Sequence, residues 1–272
     1  MHRPTSLPIT LTAVLSVLSS FALLAACGGP SGGGSGAPVT PPTAQSDARP
    51  QSGAKASLPS EVIDLTNWYL TLPTGKTDDP DDVYQPDLAR YSGDWFRLNE
   101  TGDGVVFTAN AGGVTTKGSS YPRSELREMK GSEKASWSNR SGTHTMQVRQ
   151  AITQLPLVKQ DVVAAQIHDA EDDVIEVRLE GERLLAEYDD GDGSIVLDEA
   201  YRLGTPYDLQ IKASGGRVEV SYNGKVAQPI PVSGTGWYFK AGSYVQSNPS
   251  RGEDPAATGQ VVLYGLTVTH TG

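Results

Sequence analysis

The sequence predicts an all-β fold, an antiparallel β-sandwich or β-jelly roll, and two observations support this prediction. The first is a series of short runs in which apolar and polar residues alternate, as in a strand with one face in a core. The second is the turn chemistry between these runs, such as Asn223-Gly224, a two-residue hairpin signal. Residues 85–90 form at most a short helical turn. The candidate strands are 104–108, 143–151, 162–168, 173–180, 183–189, 207–214, 217–222 and 260–270.

The N-terminal stretch is interpreted as a targeting signal. Arg3 precedes residues 7–24, which are mostly apolar and carry no charge, and Leu24-Ala25-Ala26-Cys27 follows. The pattern resembles a bacterial lipoprotein signal, in which residues 1–26 are removed and Cys27 is lipidated. The alternative is a plain secretory signal with an incidental cysteine. We therefore expect an exported protein, either anchored at the cell surface only through the lipid on Cys27 or secreted.

After this signal, the composition of residues 27–57 predicts a flexible tether, and residues 58–272 are expected to form a single domain. The tether is rich in Gly, Ser, Pro and Thr and cannot bury enough apolar surface to fold. The rest of the chain is long enough for one large β unit, which we expect to be a monomer. The net charge of −10 and the lack of a nucleic-acid motif argue against nucleic acid as a partner.

Two acidic runs, residues 78–82 and 189–192, combine aspartates with Pro or Gly. Neither has the ligand spacing of a calcium loop such as the EF-hand. We interpret both as solvated loops between strands.

The segment 121–129 is the most unusual candidate strand. Its period of two places Arg123, Glu125 and Arg127 on one face, with Ser124, Leu126 and Glu128 on the other. A carboxylate between two arginines can hold both while their free N–H groups point toward an anion. The alternative is a solvent-exposed ladder of salt bridges.

Two later strands carry polar faces of the same kind. In 162–168, Gln166 and His168 point away from the core-facing Ile167. In 237–246, one face carries Lys240, Gly242, Tyr244 and Gln246, and Gly242 leaves room for a ligand near the sheet. Each segment alone could be scaffold with incidental polar residues. If the three strands lie side by side, they form a cationic, hydrogen-bonding floor suited to an anionic ligand.

These three segments resemble the signature motifs of polysaccharide lyase family 7, the alginate lyases. The motifs are YPRSELRE at 121–128, QIH at 166–168 and YFKAGSYVQ at 238–246, and they occur in the order typical of that family. The resemblance implies a β-jelly roll with a concave cleft that binds an anionic polysaccharide, alginate. It also implies β-elimination at a 4-O-linked uronate, which leaves a C4=C5 double bond.

The resemblance further implies a role for each motif residue. Arg123 and Gln166 would neutralise the uronate carboxylate, which makes the C5 proton acidic enough to remove. His168 would be the general base toward guluronate. Tyr244 would be the general acid, and both acid and base toward mannuronate. No metal or organic cofactor is needed.

The remaining motif residues are expected to bind substrate or to support those that do. The resemblance places Glu125 behind the arginines, fixing their positions. Arg127, Lys240 and Gln246 would bind flanking carboxylates and hydroxyls. Ile167 in the QIH motif is associated in this family with activity toward guluronate-containing blocks.

Three alternatives stay open from sequence. A glycoside hydrolase would need two carboxyl groups across a scissile bond. The two arginines on its own face make Glu125 a poor acid. A non-catalytic, surface-tethered polyuronate-binding module would have no need for both a histidine and a tyrosine in its cleft. The third alternative is a lyase that acts on another polyuronate.

Overall fold

The computed structural model describes residues 55–189 and 191–272. The predicted signal, Cys27 and nearly all of the predicted tether lie outside these residues, so those interpretations remain predictions. In the described part, three short 3₁₀ helices cover Pro59–Glu61, Asp87–Arg90 and Pro249–Arg251. The sixteen strands described are β1 (Trp68–Lys76), β2 (Asp79–Val83), β3 (Phe96–Leu98), β4 (Val105–Asn110), β5 (Arg123–Lys130), β6 (Glu133–Lys134), β7 (Thr143–Gln154), β8 (Asp161–His168), β9 (Asp173–Glu180), β10 (Arg183–Tyr188), β11 (Gly193–Asp198), β12 (Tyr207–Ser214), β13 (Arg217–Tyr222), β14 (Lys225–Val226), β15 (Tyr238–Val245) and β16 (Thr258–Thr271).

These strands form two antiparallel sheets, which confirms the predicted all-β jelly roll. Among the described residues, the larger sheet has nine strands in the order β11-β10-β9-β8-β15-β5-β1-β2, with β6 paired to β5. The smaller has seven, in the order β14-β13-β12-β7-β16-β4-β3. Apolar residues of both sheets form the core, including the fully buried Leu126, Ile167 and Phe239. In the same part of the chain, no helix is long and apolar enough to cross a membrane.

The predicted strands agree with the structure, and three of them, 173–180, 207–214 and 217–222, have the predicted bounds. The interpretation of 78–82 as a solvated loop is wrong, since Asp79–Val83 is strand β2 at the edge of the larger sheet. Its carboxylates hydrogen-bond to threonines of β1, with Thr71 Oγ1 2.6 Å from Asp82 Oδ1. An edge strand tolerates such charges and a proline because one of its sides has no partner strand.

The three motif strands are neighbours, as the site prediction requires. Strand β15 lies between β8 and β5, so that Lys240 pairs with Gln166 on one side and with Arg127 on the other. The interpretation of Gly242 as room for a ligand is wrong. A Cβ atom there would lie 2.5 Å from the carbonyl oxygen of Ser124, so this glycine permits the close approach of β5.

The opposite face of β5, which carries Ser124, Leu126 and Glu128, is buried against the smaller sheet. Its Glu128 accepts hydrogen bonds from the backbone N–H of Phe239 at 2.9 Å and from Trp137 Nε1 at 2.9 Å. His270 Nε2 of β16 lies 2.6 Å from the other carboxylate oxygen. Glu128 therefore links β5 to the start of β15 and to β16. These contacts fix the relative positions of the strands that carry the motif side chains.

Candidate active site

The polar faces of the motif strands line one cavity of about 330 Å³ on the larger sheet. Gln246 lies just beyond β15 and is not among the lining residues, so its predicted contact with substrate remains a prediction. The other seven predicted site residues line the cavity together: Arg123, Glu125, Arg127, Gln166, His168, Lys240 and Tyr244.

Glu125 is the centre of the charge network on the cavity floor. Its carboxylate is 1% exposed and lies 2.6 Å from Lys240 Nζ and 3.4 Å from Arg123 Nη1. Gln166 Nε2 donates to its other oxygen at 2.5 Å. Burial alone would raise the pKa of Glu125, but the two cations outweigh it and hold that pKa below its usual value. Glu125 is therefore an ionised anchor for these side chains.

The predicted position of Arg127 beside Glu125 is not observed. Its guanidinium carbon lies 3.7 Å from the centroid of the Tyr238 ring, a cation–π contact. Lys240, which lies opposite Arg127 on β15, takes the place next to Glu125 that the sequence assigned to a second arginine. Glu125 thus fixes one arginine and one lysine.

Several polar atoms in the cavity are buried and have no partner. Arg123 Nε, Arg127 Nη1 and Gln166 Oε1 make no hydrogen bond to any residue in 55–189 or 191–272. Gln166 Nε2 gives one N–H to Glu125, and its amide group has a second N–H. Because a buried polar group without a partner is costly, these atoms indicate where a ligand's carboxylate and hydroxyl groups would bind.

His168 is oriented to act as a base. Its Nδ1 lies 2.7 Å from the carbonyl oxygen of Asp169, which can only accept, so Nδ1 carries the proton and Nε2 the lone pair. Its ring stacks on Tyr238, with ring centroids 5.5 Å apart. Burial and the Lys240 cation lower the pKa of His168 to about 4. The imidazole is therefore neutral near neutral pH.

Tyr244 holds its hydroxyl group toward the cavity. That oxygen lies 2.9 Å from Ser119 Oγ, while Ser119 itself donates to the carbonyl oxygen of Tyr121 at 3.2 Å. Either hydroxyl group can be the donor in this hydrogen bond. The Arg123 guanidinium carbon lies 3.8 Å from the centroid of the Tyr244 ring, a cation–π contact.

The sequence prediction missed other residues that line the cavity. Glu176 is not among the predicted site residues, yet it pairs with Gln166 and lies on the face of β9 that meets the cavity. The short connection between candidate strands 162–168 and 173–180 could have revealed this adjacency. The further missed residues are Tyr69, Thr71, Thr116, Gly118, Ser119, Lys134, Ala170, Glu171, Asp172, Asp173 and Tyr238.

Two groups in the cavity titrate near the same pH. Burial and the Arg123 cation lower the pKa of Lys240 to about 8, although Glu125 opposes this. Burial and the Asp173 charge raise the pKa of Glu176 to about 8. Loss of a proton from Lys240 removes a positive charge, and loss from Glu176 adds a negative one. Both changes make the cavity less attractive to an anion.

We expect KM for a polyanionic ligand to rise about twofold to fivefold as the pH increases through about 8. This change corresponds to the free energy of one or two charge contacts that solvent partly screens. Initial rates across this interval would measure it. The Glu176→Gln variant keeps the neutral form and should show a shallower rise. A KM that stays constant from about pH 7 to about pH 10 would contradict these assignments.

Replacing Glu125 by glutamine should lower the free energy of unfolding by about 1–3 kcal/mol, because Lys240 and Arg123 would keep their buried charges without a counter-ion. Urea unfolding near pH 7 would measure the loss. The loss should shrink above the pKa of Lys240, where that residue is neutral. Glu133→Gln, an exposed acid on β6, is the matched control. Equal unfolding midpoints for both variants would show that Glu125 does not neutralise these cations.

Among residues 55–189 and 191–272, no three His, Cys, Asp or Glu side chains are placed to hold a metal ion. The chemistry available in the cavity is that of a neutral imidazole, a phenol and a group of buried cations. This set can bind a carboxylate, remove a proton near it and protonate a leaving oxygen.

Comparison with known proteins agrees with this chemistry. Residues 63–270 match the family described as alginate lyase. Alginate lyase AlgAT5 of polysaccharide lyase family 7 is 51% identical, with a TM-score of 0.76 over 79% of this chain and 100% of that one. The family 7 alginate lyase A1-II′, solved as a histidine-to-asparagine and tyrosine-to-phenylalanine variant with its substrate GGMG, is 29% identical, with a TM-score of 0.69 over 79% and 97%. An alginate lyase from Klebsiella pneumoniae is 36% identical over 83 residues, which are 29% of this chain and only 27% of that relative's length.

Proposed function

The chain belongs to the alginate lyase family, and from this premise we propose that it cleaves alginate by β-elimination, with guluronate-containing blocks as the favoured substrate. The observation that supports it best is the convergence of a neutral histidine, a tyrosine and unpartnered cationic donors in one cavity. Each of these groups matches one requirement of the reaction.

The first requirement is to stabilise charge on the uronate carboxylate. Removal of the C5 proton builds negative charge on that group, so donors must already be in place when it forms. Arg123 Nε and the second N–H of Gln166 are available for this purpose. The carboxylate oxygens of Glu125 contact Lys240, Arg123 and Gln166. Glu125 therefore orients these three side chains, and they bind the carboxylate of the substrate.

The second requirement is a base and an acid. For guluronate, His168 Nε2 takes the C5 proton, the electrons of that bond form C4=C5, and the bond from C4 to O4 breaks. The leaving O4 takes the proton of Tyr244. For mannuronate, whose proton and leaving group lie on one face, Tyr244 would enter the step as the phenolate, take the C5 proton and pass it to the leaving O4. The A1-II′ complex, which keeps a bound substrate after a histidine and a tyrosine are replaced, supports roles for such residues in chemistry more than in binding.

The preference for guluronate blocks depends on the separation of base and acid. Ile167 is fully buried and packs into the core between the sheets. It therefore does not contact the substrate and can affect binding only by setting the positions of Gln166 and His168. A base separate from the acid favours guluronate, because its C5 proton lies opposite the leaving oxygen. The proposed preference for guluronate therefore requires His168 to act as the base while Tyr244 acts only as the acid.

A hydrolase is the principal rival, because Glu176 is a buried acid in the same cavity with a pKa raised to about 8. A hydrolase also needs a second carboxylate free to act on sugar or water. Glu125 is engaged by three side chains, which leaves it unsuited to that role. Glu171 and Asp172 also line the cavity, so the products formed must separate a hydrolase from a lyase.

The proposal is tested by following ultraviolet absorbance with polyguluronate, polymannuronate and a neutral glucan as separate substrates. Elimination creates a double bond conjugated to the carboxylate, and hydrolysis does not. We expect absorbance to rise on both uronates, faster on polyguluronate, and to stay flat on the glucan. Flat traces on both uronates would overturn the proposed function, and a faster rise on polymannuronate would overturn the block preference.

A further inference from the structure

The cavity carries opposite charges at its two ends. Lys134 lies on β6 and Arg127 on β5, toward the β1 edge of the sheet. Glu171 and Asp172 line the other end, on the connection from β8 to β9. Since β8 and β15 lie between these ends, the reacting groups are placed where the cationic half meets the acidic half.

The acidic end of the cavity is a turn that is held by hydrogen bonds within it. The Asp169 carboxylate accepts from the backbone N–H of Glu171 at 2.9 Å and of Asp172 at 3.0 Å. The N–H of Asp169 in turn donates to the carbonyl oxygen of Asp172 at 3.0 Å. We call residues 169–173 the acidic hairpin. The carbonyl oxygen of Asp169 also fixes His168, so this hairpin has a defined position relative to the base.

Among the described residues, the carboxylates of Glu171 and Asp172 have no cation paired with them. Arg178, on the adjoining strand, is engaged by Asp161, Glu176, Glu180 and Glu187. Within the described part of the chain, neither Glu171 nor Asp172 forms a salt bridge, and both are exposed. Their carboxylates therefore face any anion that extends past His168.

From this arrangement we infer that the acidic hairpin limits how many uronates bind on its side of the cleavage point, so that the enzyme releases short products of narrow size from that side. The inference deepens the proposed function and depends on it. A polyuronate carries one carboxylate on each sugar. The half of the cavity near Arg127 and Lys134 attracts these groups, whereas Glu171 and Asp172 repel each further one within a Debye length of about 8 Å at physiological salt.

The test uses a Glu171→Gln, Asp172→Asn double variant. The amide introduced at position 172 would keep the oxygen that accepts from the N–H of Asp173 at 2.9 Å, so the turn is preserved. We expect longer products on polyguluronate and a KM lowered about twofold to fivefold, as for removal of one or two exposed charge contacts. The single Glu171→Gln variant, at an exposed position, should shift both quantities in the same direction by less.

The matched control neutralises two exposed acids outside the cavity by the substitutions Glu100→Gln and Glu182→Gln. It should leave product sizes and KM as in the wild-type protein. Added salt should lengthen the wild-type products toward those of the double variant. Unchanged products from an active double variant, or an equal shift in the control, would overturn the inference. Absence of elimination in the wild-type protein would instead be a failure of the proposed function, which the ultraviolet assay detects separately.

Discussion

Replacing Tyr244 by phenylalanine should lower kcat on polyguluronate by about 100-fold to 10,000-fold, the range for losing a positioned general acid. The substitution removes only the hydroxyl group, which is the proposed proton donor to O4. The ring would keep its place beneath the Arg123 guanidinium, 3.8 Å away, so substrate binding should change little. On polymannuronate the loss should be at least as large, because in the proposed mechanism the same oxygen takes the C5 proton and passes it to O4.

Initial rates and equilibrium binding of a guluronate oligomer, measured on the same preparation, would separate chemistry from affinity. Tyr121→Phe is the matched control. It makes the same chemical change on a ring that contacts Tyr244 edge-on, with centroids 6.4 Å apart, and it should retain near wild-type kcat. A Tyr244→Phe enzyme with more than about a tenth of wild-type kcat would rule out the role proposed for this hydroxyl.

Replacing His168 by asparagine should distinguish the two uronates. The asparagine amide can still donate to the carbonyl oxygen of Asp169, as Nδ1 does now at 2.7 Å, but it offers no lone pair where Nε2 stands. We expect kcat on polyguluronate to fall by about 100-fold or more, and kcat on polymannuronate to fall much less. The ratio of the two rates is therefore the informative quantity.

Urea unfolding should accompany these rates, because an equal unfolding midpoint excludes a general structural defect. The wild-type pH profile gives a second check. With a pKa of about 4, His168 is deprotonated well below neutral pH in the free enzyme, so kcat/KM should not fall between about pH 7 and about pH 6. Equal losses on both uronates in His168→Asn would show that His168 is not a base specific to guluronate.

Much of the site could be predicted because a strand has a period of two. That period placed Arg123, Glu125 and Arg127 on one face and Leu126 on the other, and the structure confirms both assignments. It could not identify the partner of Glu125. Lys240 lies opposite Arg127 on β15 and diagonally across from Glu125. The pairing of β5 with β15 brings its Nζ to the place assigned to Arg127, and no single segment contains that pairing.

Other features depend on contacts that no single segment contains. The close approach of β5 to Gly242 arises from pairing between distant strands, and the sequence alone showed only a missing side chain. Strand β2 was missed because Asp and Pro disfavour strands, and only its edge position makes them acceptable. Ser119 lies in the connection between β4 and β5 and reaches Tyr244 through the fold, without a motif to mark it.

The central claim is that this cavity breaks the glycosidic bond by elimination, and the masses of the products test it most directly. Polyguluronate digested in heavy-oxygen water should give fragments whose new non-reducing ends are lighter by one water molecule, with no heavy oxygen gained at cleavage. The Tyr244→Phe enzyme should give almost none of them. Saturated fragments that carry one heavy oxygen per cleavage would show hydrolysis and contradict the account.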